Sequence, residues 1–258
     1  MAITVNKDVA VLPNVKKMVI PDTGYTIFDC DLSGADAQVV AWEADDAPLK
    51  ALFRSGGNVH IKNAEDNFGD KWRNAAGHHK TPGTPRNLIY QDTKKAVHLT
   101  NYVGSVRTLA SSLGWTQLDA ANFQRNWFRL HPGIRDWHDR CLQSLRASHL
   151  VRNAFGHHRI YFDRPDSVLS QAVAWIPQCT IAITCFRGAL QLRKHLPYVE
   201  ILLNTHDSLT FQVPWRYDDR FDDIKHGLEN PVPYADPLVI KWKLSRSRVS
   251  WGDCEEVA

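Results

Sequence analysis

Apolar and polar residues follow two different periods along the chain, and these periods separate strands from helices. Residues 25–31, YTIFDCD, alternate and are rich in β-branched and aromatic side chains, which predicts a β-strand. Residues 199–214, VEILLNTHDSLTFQVP, contain two apolar runs joined at His206–Asp207, which predicts a β-hairpin with that pair at its tip. Further strands are predicted in 155–163 and in the tail that begins PLVIKWKL.

Apolar residues at helical spacing predict the other regular elements. Four regions show this spacing, namely 35–55 (ended by Gly56–Gly57), 86–112, 116–148 as two helices, and 167–194. Residues 61–86 are polar and contain TPGTP, which predicts a loop or short irregular elements. Strands and helices that are grouped along the chain, with an antiparallel hairpin, predict an α+β fold.

Composition indicates a globular protein and bears on its cellular location. With 258 residues, 43% hydrophobic and 23% charged, the chain can bury a sizeable core. We see no secretory signal, and the longest apolar run, 172–186, is too short to cross a bilayer, so we expect no membrane partner. Five cysteines without a pairing pattern indicate reduced thiols and a cytoplasmic location, and argue against a zinc ribbon.

Charge is distributed unevenly along the chain. Residues 61–160 contain 15 Lys and Arg against 7 Asp and Glu, and eight of the twelve histidines, although the whole chain has a net charge of only +3. Such a basic block favours a polyanion or an anionic substrate as partner, but an ordinary solvated face would have the same composition.

Two carboxylates lie where an apolar strand meets a turn. Asp31 ends the predicted strand 25–31, and Asp207 lies at the tip of the predicted hairpin. Carboxylates held close together repel each other unless a cation lies between them, and Mg²⁺ is commonly bound by one or two carboxylates plus substrate phosphates. Asp29 shares a strand face with Asp31, so spacing alone leaves the choice among them open, and acids in turns are common.

A stripe of cationic and aromatic residues follows the helix predicted after Thr84-Pro85. Lys94, His98 and Tyr102 are spaced four residues apart, with Tyr90 one turn earlier, so they share a helix face. Rings can stack on a base while an ammonium group binds phosphates, which suits a nucleotide. An amphipathic face with an extended lysine is the alternative interpretation.

Taken together, these stretches resemble the polymerase module of family A DNA polymerases, the DNA polymerase I type that includes phage replicases. The resemblance runs from about residue 15 to the end of the chain, with its motifs in order. They are DLSGADAQVVAWEADDAPLKALFRSGGNVH (31–60, motif A), KKAVHLTNYVGS (94–105, motif B), AFGHHRIYF, PQCTIA (177–182) and THDS (205–208, motif C).

The resemblance implies a template-directed DNA polymerase that extends a primer 3′ end. Asp31 and Asp207 would hold two catalytic Mg²⁺ ions. The nucleotide-binding residues implied are Asp36, which discriminates against a 2′-hydroxyl, together with Lys94, His98 and Tyr102. Residues implied to contact primer and template DNA are His206, Gln178 and Arg159.

The chain departs from the family pattern at several of these positions. Tyr90 stands where an arginine is usual, and His98 replaces a stacking aromatic residue. Val103 stands in place of a glycine, and Ser208 follows Asp207 where the family has an acid. We therefore expect weaker binding of the nucleotide triphosphate than is typical of the family.

The resemblance also implies a domain organisation. The palm would comprise 1–60 and 155–258, an antiparallel sheet flanked by helices, with helical fingers inserted at 61–154. Since about thirty residues precede motif A, the expectation is a module without thumb or exonuclease, of phage origin, acting in the host cytoplasm and completed by a partner polypeptide.

Two alternatives remain open at this point. One is a degenerate or truncated fragment that binds nucleic acid without polymerising, which Tyr90, His98 and the missing thumb favour. The other is a relative of the single-subunit phage-type RNA polymerases, which only Ser208 favours, because a carboxylate at Asp36 would disfavour ribonucleotides.

Overall fold

The computed structural model describes residues 14–257, which divide into two compact units. The sheet unit comprises the residues up to Ser33, Ala182–Pro231 and the chain from Val239 on, and the helical unit comprises Gly34–Ile181 and Val232–Leu238. Residues 1–13, with which the predicted palm begins, and residue 258, with which it ends, lie outside the described residues.

Seven strands, ten α-helices and three short 3-10 helices make up the regular structure of the described residues. The strands are β1 (Tyr25–Leu32), β2 (Leu150–Arg152), β3 (His158–Ile160), β4 (Glu200–Thr205), β5 (Ser208–Pro214), β6 (Trp242–Ser247) and β7 (Glu255–Glu256). The helices are α1 (Ala35–Glu43), α2 (Ala47–Arg54), α3 (Val59–Phe68), α4 (Asp70–Arg73), α5 (Pro85–Asn101), α6 (Val106–Leu113), α7 (Gln117–Leu130), α8 (Pro132–Ser148), α9 (Pro165–His195) and α10 (Phe221–Leu228).

A five-stranded antiparallel sheet forms the sheet unit. Its strand order is β4-β5-β1-β6-β7, so the first strand of the chain lies between the hairpin β4–β5 and the C-terminal strand β6. Ile27, Phe28, Cys30 and Leu32 on β1 are buried, and the rings of Phe28 and Phe211 stack at 5.4 Å between centroids. Burial of apolar residues on both faces of β1 holds this strand at the centre of the sheet.

The predicted helix after Thr84-Pro85 is two helices. Thr84 caps α5 by accepting a hydrogen bond from the Asn87 backbone N–H, but α5 ends at Asn101, where 86–112 was predicted to be continuous. The Gly104 N–H donates to the Leu99 carbonyl at 2.7 Å, and a Cβ on Gly104 would lie 2.6 Å from that oxygen. The chain turns here, and Ser105 caps α6.

The first predicted helix is also interrupted. Asp45 has a φ of +49°, which ends α1, and the Asp46 carboxylate then caps α2 by accepting from the Leu49 N–H. The helical spacing of apolar residues through 35–55 gave no sign of this break.

The prediction of a loop over 61–86 was wrong in its first part. Residues 59–73 form α3 and α4, and Asn58 caps α3 by accepting from the His60 and Ile61 N–H groups. The mostly polar sequence hid a narrow apolar face, through which Ala64 and Trp72 pack with Ile89 of α5 in a small core. An asparagine cap was the missed signal.

Helix α9 confirms the helix predicted over 167–194, and it continues through Pro177. By length and composition alone it could cross a membrane, but half of its most apolar stretch is buried within the protein, as in the core helix of a folded domain. This is weak evidence for a membrane span. The α+β prediction, an antiparallel sheet with helices, is confirmed, whereas the strand predicted over 155–163 is reduced to β3 in a short hairpin with β2.

Candidate functional site

The two predicted metal-binding carboxylates, Asp31 and Asp207, lie at neighbouring positions in the sheet unit. Asp31 on β1 pairs with Ser208 on β5, and Asp207 is the second residue of the two-residue turn between β4 and β5. The Leu32 N–H donates a hydrogen bond of 3.0 Å to the Asp207 carbonyl oxygen. The main chain therefore fixes the hairpin tip beside the end of β1.

Burial and charge repulsion at this sheet end change the pKa of Asp31. Partial burial, followed by the negative charges of Asp207 and Asp29, raises the pKa of Asp31 to about 6, against the lowering effect of Lys243 and Lys16. The negative charges of Asp207 and Asp29 thus oppose ionisation of Asp31. A bound cation would relieve this repulsion.

Asp29, which the sequence left as a competing candidate, has partners of its own. Its carboxylate lies 3.5 Å from the Lys16 Nζ and accepts a long hydrogen bond, 3.4 Å, from the Thr210 hydroxyl. Asp31 instead lies opposite Lys243, on β6. The geometry thus favours Asp31 over Asp29 as the partner of Asp207.

The tip of the hairpin has a constrained backbone. His206 is exposed and has a φ of +56°, in the left-handed region that histidine adopts more often than most residues other than glycine. Beside it, the Ser208 and Thr205 hydroxyls lie 2.7 Å apart, and the Ser208 hydroxyl donates to the Thr205 carbonyl at 3.2 Å. Ser208 is engaged in closing the turn and supplies no carboxylate.

The donors at this site suit a hard cation. No group of three or more His, Cys, Asp or Glu side chains that could hold a metal occurs in residues 14–257. Two carboxylates are nonetheless the protein contribution that Mg²⁺ commonly takes when substrate phosphates complete its coordination. Oxygen donors, and the repulsion evident at Asp31, fit that ion.

The helical unit brings three predicted nucleotide-binding residues together. Asp36 lies in the first turn of α1, and the Tyr102 hydroxyl at the end of α5 donates a hydrogen bond to its Oδ1. The His98 Nδ1 lies 3.4 Å from the other carboxylate oxygen, and the His98 and Tyr102 rings meet edge to face at 4.6 Å. Burial and the charge of Asp36 raise the pKa of Tyr102, so its hydroxyl stays a proton donor.

Further along the α5 stripe, Tyr90 lies between two histidines that the sequence did not single out. Its ring centroid is 5.8 Å from that of His60 and 5.2 Å from that of His79. Burial and then the nearby charge of Lys94 lower the pKa of His60 to about 4, so His60 is neutral here. Lys94 is exposed. The sequence signal for His60 was the Asn-x-His end of motif A, which carried no assigned role.

The remaining predicted residues lie on separate elements. Gln178 is exposed on α9, directly after Pro177, and Arg159 is exposed on β3 with its guanidinium group 5.0 Å from the Tyr161 ring centroid. Gln178 and Arg159 do not cluster with each other. Contact of either residue with DNA stays a prediction, as does contact of His206.

Comparisons with known proteins are consistent with the motifs. The model of the family described as DNA polymerase family A matches residues 3–248. The thermostable DNA polymerase I of Thermus filiformis is 25% identical over 249 residues, covering 90% of this chain and 28% of that protein. DNA polymerase I of Geobacillus stearothermophilus is 26% identical over 245 residues, covering 88% of this chain and 26% of that protein.

The fold is shared with a solved structure, the POL domain of Pol1 from M. smegmatis in complex with DNA primer-template and dNTP. The TM-score is 0.72 at 18% identity, over 90% of this chain and 41% of that one. This chain therefore spans about a quarter of the length of the two bacterial relatives and less than half of the solved domain.

Proposed function

Because the chain belongs to DNA polymerase family A, we propose that it is the part of a template-directed DNA polymerase that adds deoxynucleotides to a primer 3′ end. In that reaction the primer 3′-oxygen bonds to the α-phosphorus of a dNTP, and the bond to the β-phosphate breaks to release pyrophosphate. The observation that carries the proposal is the placement of Asp31 and Asp207 side by side at one sheet end.

Asp31 and Asp207 would hold two Mg²⁺ ions together with the triphosphate of the nucleotide. When bound, these ions lower the pKa of the attacking hydroxyl and neutralise charge that develops on the phosphate. The chain must keep both carboxylates ionised for this purpose. Lys243 opposite Asp31 contributes, because its charge opposes the rise in the pKa of Asp31.

The Asp36–Tyr102–His98 cluster would bind the sugar and base of the nucleotide. The hydrogen bond from Tyr102 fixes the Asp36 carboxylate, so the side chain that excludes a 2′-hydroxyl has a defined position. The exposed Lys94, on the same face of α5 as His98, supplies positive charge for the triphosphate.

Primer and template DNA are the proposed partners, with His206, Gln178 and Arg159 as contacts. The solved neighbour holds a primer-template and a dNTP, which supports this choice. The palm and fingers division, at 1–60, 61–154 and 155–258, is part of the proposal. A second polypeptide that supplies a thumb is a further proposed partner.

Primer extension tests the proposal directly. The chain is incubated with a primer-template, Mg²⁺ and either dNTPs or rNTPs, alone and with a thumb-containing fragment of a relative, and compared with Asp207→Ala. Binding of the primer-template is measured in parallel. Loss of a metal-binding carboxylate is expected to lower the rate by about 1,000-fold or more. Asp219→Ala is the matched control, since Asp219 is an exposed acid of the same unit outside the site.

Three outcomes separate the alternatives. Extension by the wild type and Asp219→Ala but not Asp207→Ala supports the proposal. If the chain binds DNA but extends no primer, with or without the added thumb, it is a degenerate fragment. The observation that favours this alternative is Tyr90 in the place of an arginine. Extension with rNTPs alone would point to the RNA polymerase type instead.

A further inference from the structure

A cavity of about 460 Å³ in the helical unit takes no part in the roles proposed so far. It lies between the last residue of α1, one face of α8, strand β2 and the middle of α9. Every residue that lines it belongs to the helical unit. The volume is within the usual range of small-ligand sites.

Buried apolar side chains form one part of the lining. They come from three elements, with Trp137 and Cys141 on α8, Val151 on β2 and Ile176 on α9. Burial, followed by the charge of Glu43, raises the pKa of Cys141 to about 12, so the thiol stays protonated and serves as a small apolar contact. These walls suit the apolar body of a ligand.

The Trp137 side chain brings a buried donor to this region. Its indole N–H has no acceptor among residues 14–257, although the nitrogen is fully enclosed. Buried donors in folded proteins are nearly always hydrogen-bonded. A missing acceptor next to a cavity therefore points to an acceptor that the protein itself does not supply.

Two guanidinium groups line the same cavity without an acidic partner. Arg140 on α8 donates to the Glu43 main-chain carbonyl at 2.7 Å, and Arg152 is exposed on β2. Neither arginine forms an ion pair with an acid in the part of the chain that the structure describes. Guanidinium groups bind carboxylates and phosphates through paired hydrogen bonds, so two of them in one lining favour an oxyanion.

Glu43 is the single acid among the lining residues, and its charge is weakened. The Tyr234 hydroxyl donates to its Oε1 at 2.8 Å, and burial raises its pKa to about 7. Near neutral pH a large share of Glu43 is therefore uncharged and opposes an anion less than an ordinary glutamate would. The two arginines then leave the lining with a net positive charge.

We propose that this cavity binds a small organic oxyanion with an apolar body, whose charged group pairs with Arg140 and Arg152. Its apolar body would lie against Trp137, Val151 and Ile176. Inorganic phosphate would leave these apolar walls uncovered, so it does not use the whole lining. Carboxylates and phosphate monoesters share the required chemistry. The proposal goes beyond the polymerase function and does not depend on it.

Titration of the full chain with benzoate and with phenyl phosphate tests the proposal. The indole N–H signal of Trp137 in proton–nitrogen correlation spectra is the readout, and its loss in Trp137→Phe identifies it. Both probes should shift this signal saturably. Benzyl alcohol has the same ring without the charge and should bind at least about tenfold more weakly. The tighter of the two anions tells whether the site prefers a carboxylate or a phosphate.

Three variants separate charge recognition from general damage to the fold. Arg152→Met should weaken both anions about three- to tenfold and leave benzyl alcohol unchanged. Arg107→Met is the matched control, because Arg107 is an exposed arginine of α6 outside the lining, and it should match wild type. Glu43→Gln should tighten anion binding about two- to fivefold at pH 8, because it removes a negative charge from the lining.

Defined results would overturn the proposal. The first is the absence of a saturable Trp137 shift with either anion. Equal affinity in wild type and Arg152→Met, or equal affinity for benzoate and benzyl alcohol, would show that no oxyanion is recognised. Displacement of both anions by one equivalent of primer-template duplex would assign the two arginines to the DNA backbone instead.

Discussion

Asp31 on β1 lies directly opposite Lys243 on β6, so the carboxylate proposed to bind metal faces a protein ammonium group in the sheet. The negative charge of Asp207, in the turn before β5, raises the pKa of the same carboxylate. The site therefore contains its own positive charge, which stabilises ionised Asp31 and also competes with any cation that Asp31 binds.

Removing the Lys243 ammonium group is expected to raise the affinity of Asp31 for both a proton and a metal ion. In Lys243→Met the pKa of Asp31 should rise above its present value of about 6, because an attractive charge is lost. Mn²⁺ should bind about three- to tenfold more tightly at pH 8, where Asp31 is ionised in both proteins. Isothermal titration with Mn²⁺ measures this, with Lys225→Met on α10 as control. Weaker Mn²⁺ binding by Lys243→Met would contradict the assignment.

Sugar selectivity is expected to depend on Asp36. With Asp36→Ala, the carboxylate that Tyr102 orients is removed, and incorporation of rNTP relative to dNTP should rise by about 10- to 100-fold. Single-nucleotide insertion kinetics give the ratio. Tyr102→Phe, which keeps the ring and loses only the hydrogen bond, should produce a smaller rise in this ratio. An unchanged ratio in Asp36→Ala would show that Asp36 does not discriminate between the two sugars.

Glu43 is expected to make stability depend on pH. Burial raises its pKa to about 7, although the Tyr234 hydroxyl donates to its Oε1 at 2.8 Å. Because the folded pKa exceeds the unfolded one, stability from this group is present at low pH and is lost as pH rises through about 7.

The test of this sign is Glu43→Gln, whose amide oxygen can still accept from Tyr234. The free energy of unfolding should rise relative to wild type by about 1–3 kcal/mol at pH 8 and change little at pH 4. Urea unfolding at the two pH values measures the difference. A gain of equal size at both values would mean that ionisation of Glu43 is not the cause.

The left-handed residue at the hairpin tip gives a test that separates backbone from side chain. His206→Asn should retain the turn, since asparagine tolerates a φ of +56°, whereas His206→Val should cost about 1–2 kcal/mol of stability. Thermal unfolding reports the cost. If primer extension falls equally in both variants, the imidazole itself is needed for the reaction. If it falls only in His206→Val, the backbone geometry of the turn is what the reaction needs.

The sequence predicted those parts of the fold whose pattern is local. Alternation identified β1, and the two apolar runs around His206–Asp207 identified β4 and β5, because a short turn leaves little freedom in pairing. Helices α3 and α4 were missed, since their apolar face is narrow and their polar residues dominate any window average.

Within the candidate site, the missing information concerned contacts between distant segments. Nothing in the sequence states that Lys243 lies opposite Asp31, because strand register between β1 and β6 is settled by packing across the whole sheet. The ring contacts of Tyr90 with His60 and His79 likewise depend on how α3 packs on α5. Helical spacing correctly grouped His98 with Tyr102, since that contact lies within four residues.

The hydrogen bond from the Leu32 N–H to the Asp207 carbonyl joins two segments through main-chain atoms only. The bond itself requires no particular side chain, although a proline at position 32 would remove its donor. The Ser208 side chain is not part of this bond, so the bond alone does not require a serine, or an acid, at position 208. A sequence can thus lose much of its identity to relatives here while the reactive geometry is inherited unchanged.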